Sequence, residues 1–209
     1  MFNKIRVIVD IMEELTTTFH ALKEWAIAIQ ALEVGSTIML LRKGGIHERG
    51  GRFQVAHEQV LLYPTYEHQQ QFLLKPEYAN RVCPVTSGWH PETIKISSFA
   101  QITDILPISD EDTVNRLLPF HIWNDDFICD RLKWKANQPL FILLLRAYKL
   151  RQVEEIPYLE KYGGCKSWID IERTVNLQNS QPVLSDSQYN NVVTDIRSII
   201  GNRLYSSTV

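Results

Sequence analysis

Six basic residues, Arg131, Lys133, Lys135, Arg146, Lys149 and Arg151, flank the apolar run 139–145, and no acidic residue interrupts the stretch 131–151. In a chain of formal net charge −2, that concentration offers a surface to an anion such as nucleic-acid phosphate. The alternative reading is a core strand whose charged ends keep it soluble. Arg131, Lys133 and Lys135 alternate with Leu132 and Trp134, so in an extended conformation the three cations share one face. Such a row suits phosphate tracking with salt-sensitive affinity. It equally suits an edge strand guarded by charge.

Arg42, Lys43, Gly44 and Gly45 form a second anion candidate. Two glycines after a strand let backbone N–H groups turn toward one point, beside two cations. The spacing is not that of a P-loop, and an ordinary hairpin turn accounts for the same residues. A base pocket is the third candidate. Trp89 and Trp123 lie in polar, loop-like sequence, Tyr63 ends a strand, and His68 can donate or accept near neutral pH. Any one of these is also a plain core or structural residue. Trp25 falls on an apolar helical stripe and reads as core.

Catalytic candidates are sparse. Asp125, Asp126 and Asp130 with Lys133 are the densest carboxylate set for a metal-dependent hydrolase of phosphodiesters, but the spacing is not (D/E)-x-K. A solvated acidic face explains them more simply. Cys165 beside Lys166 lacks a visible base partner. His20, His47, His57, His90 and His121 do not fall at metal-ligand spacings, so no catalytic residue, metal or cofactor is expected.

The elements that must position these residues are short. Leu22, Trp25, Ala26, Ile29 and Leu32 predict a helix over 18–33, ended by Gly35. Residues 37–42 and 60–63 read as strands, the latter stopped by Pro64 and Thr65, with 47–52 a turn or hairpin and 53–55 a strand. Residues 66–74 read as helical. The segment 94–106 alternates as a strand with a bend near Ser97 and Ser98, and weakens after Thr103. Ser109 with Asp112 opens a helix that carries Val114, Leu117 and Leu118 and stops before Pro119. Residues 140–148 form a strand buried on both faces, and 174–184 a loop. Ser185 and Gln188 make a capping box for a final helix striped by Tyr189, Val192, Val193, Ile196, Ile199 and Ile200. In the N-terminal 15 residues, Ile5, Val7 and Val9 alternate as in a short strand.

Without regular βαβ alternation this mixture is α+β. Short strands and glycine turns suit a strongly curved mixed sheet or a small barrel with flanking helices. At 209 residues, 44% hydrophobic and 22% charged, the composition is that of a soluble globular protein. No apolar run reaches the about 18 residues of a membrane span, and the N-terminus does not read as a signal peptide. Three scattered cysteines, Cys83, Cys129 and Cys165, fit reduced thiols in the cytoplasm.

The segments ALKEWAIAIQAL with LLRKGGI, LLYPTYEHQ, RLKWKANQPLFILLLRAYKL and YGGCKSW resemble an uncharacterised family, domain-of-unknown-function family 1802, over about residues 21–169. The resemblance implies no established activity. Members joined to or near restriction-endonuclease-type domains imply a role near DNA. A more distant similarity is to PUA-like domains of the EVE and ASCH groups, small curved barrels that bind RNA or modified nucleobases. It rests on Gly35 to Arg42, Phe99 to Leu106 and the strand leading to Arg146-Ala147-Tyr148-Lys149-Leu150. The expected organisation is an extension over 1–18, one α+β domain over 19–172, and a loop with a helix over 173–209. The expected function is a nucleic-acid-binding module with DNA or RNA as partner. The alternatives are the hydrolase, and an interaction protein that docks a protein partner through its last helix.

Overall fold

The structure, a computed structural model, describes residues 16–43, 48–49, 52–53, 57–134, 136–164 and 166–201. The alternating Ile5, Val7 and Val9, the candidates Gly44, Gly45 and Lys135, and also His47 and Cys165 lie outside the described residues. Among those described, strands order as β2–β7–β6–β5–β1–β8, with β9 pairing β7. They are β1 (Thr17–Trp25), β2 (Met39–Arg42), β5 (Gln59–Thr65), β6 (Thr93–Ile108), β7 (Leu140–Pro157), β8 (Trp168–Asn176) and β9 (Gln181–Pro182). A separate ladder pairs β3 (Glu48–Arg49) with β4 (Arg52–Phe53). β1 and β5 run parallel and the other pairs antiparallel, so the sheet is mixed, with an open path from β2 to β8. Helices α1 (Ala26–Glu33), α2 (Pro76–Ala79), α3 (Glu111–Arg116), α4 (Asp125–Lys133) and α5 (Asp186–Ile200) flank it. The protein is α+β, as its sequence pattern indicates.

The apolar residues divide between two cores, and β1 and β5 are the wall between them. Ala21 and Leu61 belong to the smaller core with Ile96, Phe99, Ile156 and Ile169. Leu22 and Leu62 belong to the larger one, with Ile27, Leu32, Met39, Val114, Ile142, Leu144, Val193 and Ile196. Alternate residues of a strand face opposite sides, so a strand with a core on each side has no polar face.

That explains the main correction to the predicted helix over 18–33. Its first half is strand β1, and the helix begins only at Ala26. A wall strand buried at Ala21, Leu22, Lys23 and Glu24 shows no period of two, and its apolar residues fit a period of 3.6 by coincidence. Gly35 does follow the helix, at φ +70°.

Other boundaries moved for local reasons. Pro64 lies within β5, tolerated because β6 pairs only with Gln59 to Leu61. Residues 66–74 are not an α-helix; a left-handed His68 (φ +65°) breaks the chain, and one 3-10 turn covers 71–73. The bend in β6 is a register shift between Ile96 and Ser98, and a second shift between Ile102 and Asp104 carries the strand past Thr103. The α3 cap is Asp110, which accepts from Thr113 N, not Ser109 with Asp112, and the helix ends at Arg116. Residues 174–184 are not all loop, since β8 continues to Asn176 and β9 follows.

The capping box of Ser185 and Gln188 opens α5. Its stripe is not a free docking face: Tyr189, Val193 and Ile196 are buried in the chain's own larger core, and Val192, Ile199 and Ile200 pack against it. The reading of α5 as a docking helix for another protein is therefore corrected. No helix among the described residues is long and apolar enough to cross a membrane.

Candidate functional site

The wall ends where β1 and β5 reach Trp25 and Thr65, and there a cavity of about 610 Å³ opens between the cores. Its lining includes Lys23, Glu24, Arg42, Lys43, Tyr63, Tyr66, His68, Trp89, Trp123, Phe127, Arg131, Trp134, Tyr158 and Lys166. The volume is within the range of about 300–1,000 Å³ typical of small-molecule sites.

The floor is a knot of buried charge. Lys23 Nζ donates to Tyr162 O at 2.5 Å and Gly164 O at 2.8 Å. Glu24 accepts from Trp25 N at 2.8 Å and pairs with Arg42 Nη2 at 2.9 Å. Arg42 also donates to Lys23 O at 2.6 Å and Ser167 Oγ at 3.2 Å. Lys43, itself buried, donates through Nζ to Leu132 O at 2.8 Å, near the C-terminal end of α4 where a cation is favoured. Arg42 and Lys43 thus spend their charges within the protein.

One wall is an aromatic column on α4. Asn124 caps the helix by accepting from Phe127 N at 3.1 Å. Trp123 stacks on Phe127 with ring centroids 4.9 Å apart, and the Arg131 guanidinium carbon lies 4.8 Å from the Phe127 centroid and 6.0 Å from that of Trp134. The spacing of Phe127 and Arg131 is i, i+4, which a helix brings onto one face. The extended reading fails over 131–133 for this reason: Arg131 turns into the cavity, whereas Lys133 is exposed and not part of its lining. Partial burial lowers the Arg131 pKa, and nearby Glu24 opposes the shift. The Arg131 guanidinium has no hydrogen-bond partner among the described residues.

The opposite wall is a clasp. Glu67 Oε1 accepts from Gly88 N at 2.7 Å and Ser87 Oγ at 3.0 Å. These hydrogen bonds, that of the Gly88 N–H foremost, hold the Glu67 carboxyl below its usual range. Gly88 sits at φ +80°, with open space where a Cβ would be, so the turn needs glycine for its backbone alone. The clasp holds Trp89, which is exposed, edge-on to Tyr66 at 5.8 Å. His90 stacks on Tyr158 at 3.3 Å.

Three lining residues have buried polar atoms without a hydrogen-bond partner among the described residues: Arg42 Nε, Tyr63 Oη and Trp123 Nε1. Burial raises the Tyr63 pKa, so the phenol stays protonated. Next to Trp123, buried His121 has its imidazole pKa pushed down by burial to about 3 and is neutral at neutral pH.

The structure therefore brings Tyr63, His68, Trp89 and Trp123 to one cavity, with Arg42, Lys43 and Arg131. Sequence reasoning missed Lys23 and Glu24, charges hidden in a stretch that reads as helix, and Tyr158, which carries no motif; Lys166 drew notice only as the neighbour of Cys165. Asp125, Asp126 and Asp130 do not converge on a metal-sized point. Asp125 and Asp126 occupy the first turn of α4, where they complement the helix dipole, and all three are exposed. The hydrolase built on them is corrected accordingly. Cys83 and Cys129 are free thiols.

No curated protein is significantly similar in sequence. Among solved structures, the ASCH protein from Zymomonas mobilis is 11% identical at a TM-score of 0.38, covering 84% of this chain and 93% of that one. A point-mutant form of it is 10% identical at a TM-score of 0.38, covering 84% and 96%. The domain of unknown function DUF1802 matches residues 21–195, a span that holds every residue lining the cavity, and the chain belongs to that family.

Proposed function

We propose that the cavity receives a nucleobase, with its phosphate, from a single-stranded or flipped-out nucleotide of DNA or RNA, and that the protein acts as a nucleic-acid-binding module in the cytoplasm. The observation that carries this reading is the Arg131 guanidinium, laid on Phe127 and without a hydrogen-bond partner among the described residues, at a cavity that also holds the unpaired Tyr63 Oη and Trp123 Nε1. Buried polar groups without partners are rare and costly, and a ligand with acceptors satisfies them. An arginine presented edge-on is a phosphate receptor. Trp89, nearly half exposed, offers a face on which a base stacks. Lys166 adds a second cation, while Arg42, Lys43, Glu24 and Lys23 hold the floor. Lys133 lies outside the lining and would meet only the flanking strand. A setting beside restriction-type nucleases, which the family resemblance implies, would make a modified or flipped DNA base the ligand.

Fluorescence anisotropy with labelled single-stranded and duplex DNA and RNA, at low and moderate salt, tests the reading. Binding should weaken with salt. Trp89→Ala should lose roughly tenfold through lost stacking. Arg131→Ala should weaken binding and flatten the salt slope by about one. No binding at low salt, or full binding by both variants, sinks the proposal.

A further inference from the structure

A second cluster lies toward the opposite ends of β1 and β5 from the cavity. His20 on β1 stands directly opposite Asp170 on β8, and its Nδ1 lies 2.6 Å from Asp170 Oδ1. The ladder shifts register between Thr18 and His20, and His20 N donates to Thr18 Oγ1 at 3.2 Å. A bulge of this kind re-aims a side chain. His57, just before β5, stacks its imidazole on that of His20, with centroids 3.3 Å apart and planes 10° from parallel. One ligand atom from each of the three residues lies within 4.8 Å of the others. His20 and His57 are half-buried and Asp170 is exposed, so the group is open to solvent on one side.

We propose that His20, His57 and Asp170 form a site for a divalent transition-metal ion of the zinc type, independent of the nucleic-acid reading. Two imidazoles and one carboxylate are the donor set for Zn²⁺, Co²⁺ or Ni²⁺, whereas Mg²⁺ and Ca²⁺ prefer oxygen alone. Ligand atoms at about 2.0–2.1 Å from a tetrahedral zinc lie roughly 3.3 Å from one another. The His20–Asp170 pair then opens by somewhat under 1 Å, and His57 turns out of its parallel stack on His20, because two imidazoles stacked 3.3 Å apart cannot both point an in-plane lone pair at one ion. The ion takes the place of the hydrogen bond between His20 Nδ1 and Asp170 Oδ1, with the neutral imidazole carrying its proton on Nε2 and offering the Nδ1 lone pair to the metal. Three protein ligands leave a fourth position to water, the open pattern of a zinc that can bind or activate a further group. Sequence spacing hides the site because its members are 37 and 113 residues apart (57 − 20 and 170 − 57) and meet only through strand pairing.

The test uses the full chain without an affinity tag. Titration calorimetry with ZnCl₂ should give one ion per chain. CoCl₂ should give the visible absorption of a four- or five-coordinate ion. Asp170→Asn, at an exposed position that leaves folding intact, and His20→Ala should each weaken binding about tenfold or more. The double variant His68→Ala/His90→Ala, at the cavity, should leave it unchanged. No stoichiometric binding, unchanged affinity in Asp170→Asn and His20→Ala, or loss confined to the cavity variant would overturn the proposal.

Discussion

At the scale of single residues, the charges beneath the cavity carry the largest individual stakes. Glu24 and Arg42 are 9% and 14% exposed at their side chains and satisfy each other at 2.9 Å. Removing one member of such a pair strands the other charge away from water, whereas replacing both is tolerated better. Glu24→Gln should therefore lower stability by about 3 kcal/mol in urea unfolding. Glu24→Gln/Arg42→Met should recover much of that loss. A double variant whose loss equals the sum of the losses of Glu24→Gln and Arg42→Met would show that the two residues are not coupled. The same pair orients Lys23 O and Ser167 Oγ through Arg42, so the single variant should also disturb the cavity floor.

At the scale of elements, the turn between α1 and β2 depends on Gly35. Its φ is +70°, and an added Cβ would meet Leu184 Cδ2 at 2.6 Å. Gly35→Ala should cost about 1–2 kcal/mol from the left-handed backbone alone, with more if Leu184 cannot yield, read as a fall in urea midpoint at unchanged slope. A variant as stable as the parent would mean that the turn has relaxed to another conformation. Gly35 was legible in the sequence because a glycine after a periodic apolar stripe is a local signal. So were the first bend of β6, the core of β7 and the capping box of α5. β1 was not legible, because a strand between two cores has no polar face to mark its period. The turn to α4 at 125–133 was equally silent, since its apolar residues are too few to set a period. Of the site, aromatic residues in polar surroundings pointed to Trp89 and Trp123, and a strand end pointed to Tyr63. Lys23, Glu24 and the His20–His57–Asp170 group were invisible, because only tertiary pairing gives them neighbours.

For the whole molecule, the question is what α5 contributes. Its ion pairs, Arg146 with Asp186 and Arg197 with Asp104, are partly exposed and so are worth little. Its buried face is different: Tyr189, Val193 and Ile196 fill the larger core. At about 1.5–3 kcal/mol for each buried side chain, their loss approaches the about 5–15 kcal/mol by which a typical domain is stable. A chain ending at residue 184 should lose its cooperative urea transition and its near-UV circular dichroism. An unchanged midpoint would reduce α5 to an appendage. The cavity floor adds a consequence of its own. Lys23 reaches a carbonyl 139 residues away, and Arg42 a hydroxyl 125 residues away. A partly folded or nascent chain that lacks its C-terminal third therefore has no floor and no receptor. If the cavity binds as proposed, capture of its ligand certifies a finished fold, and an incomplete chain cannot compete for it.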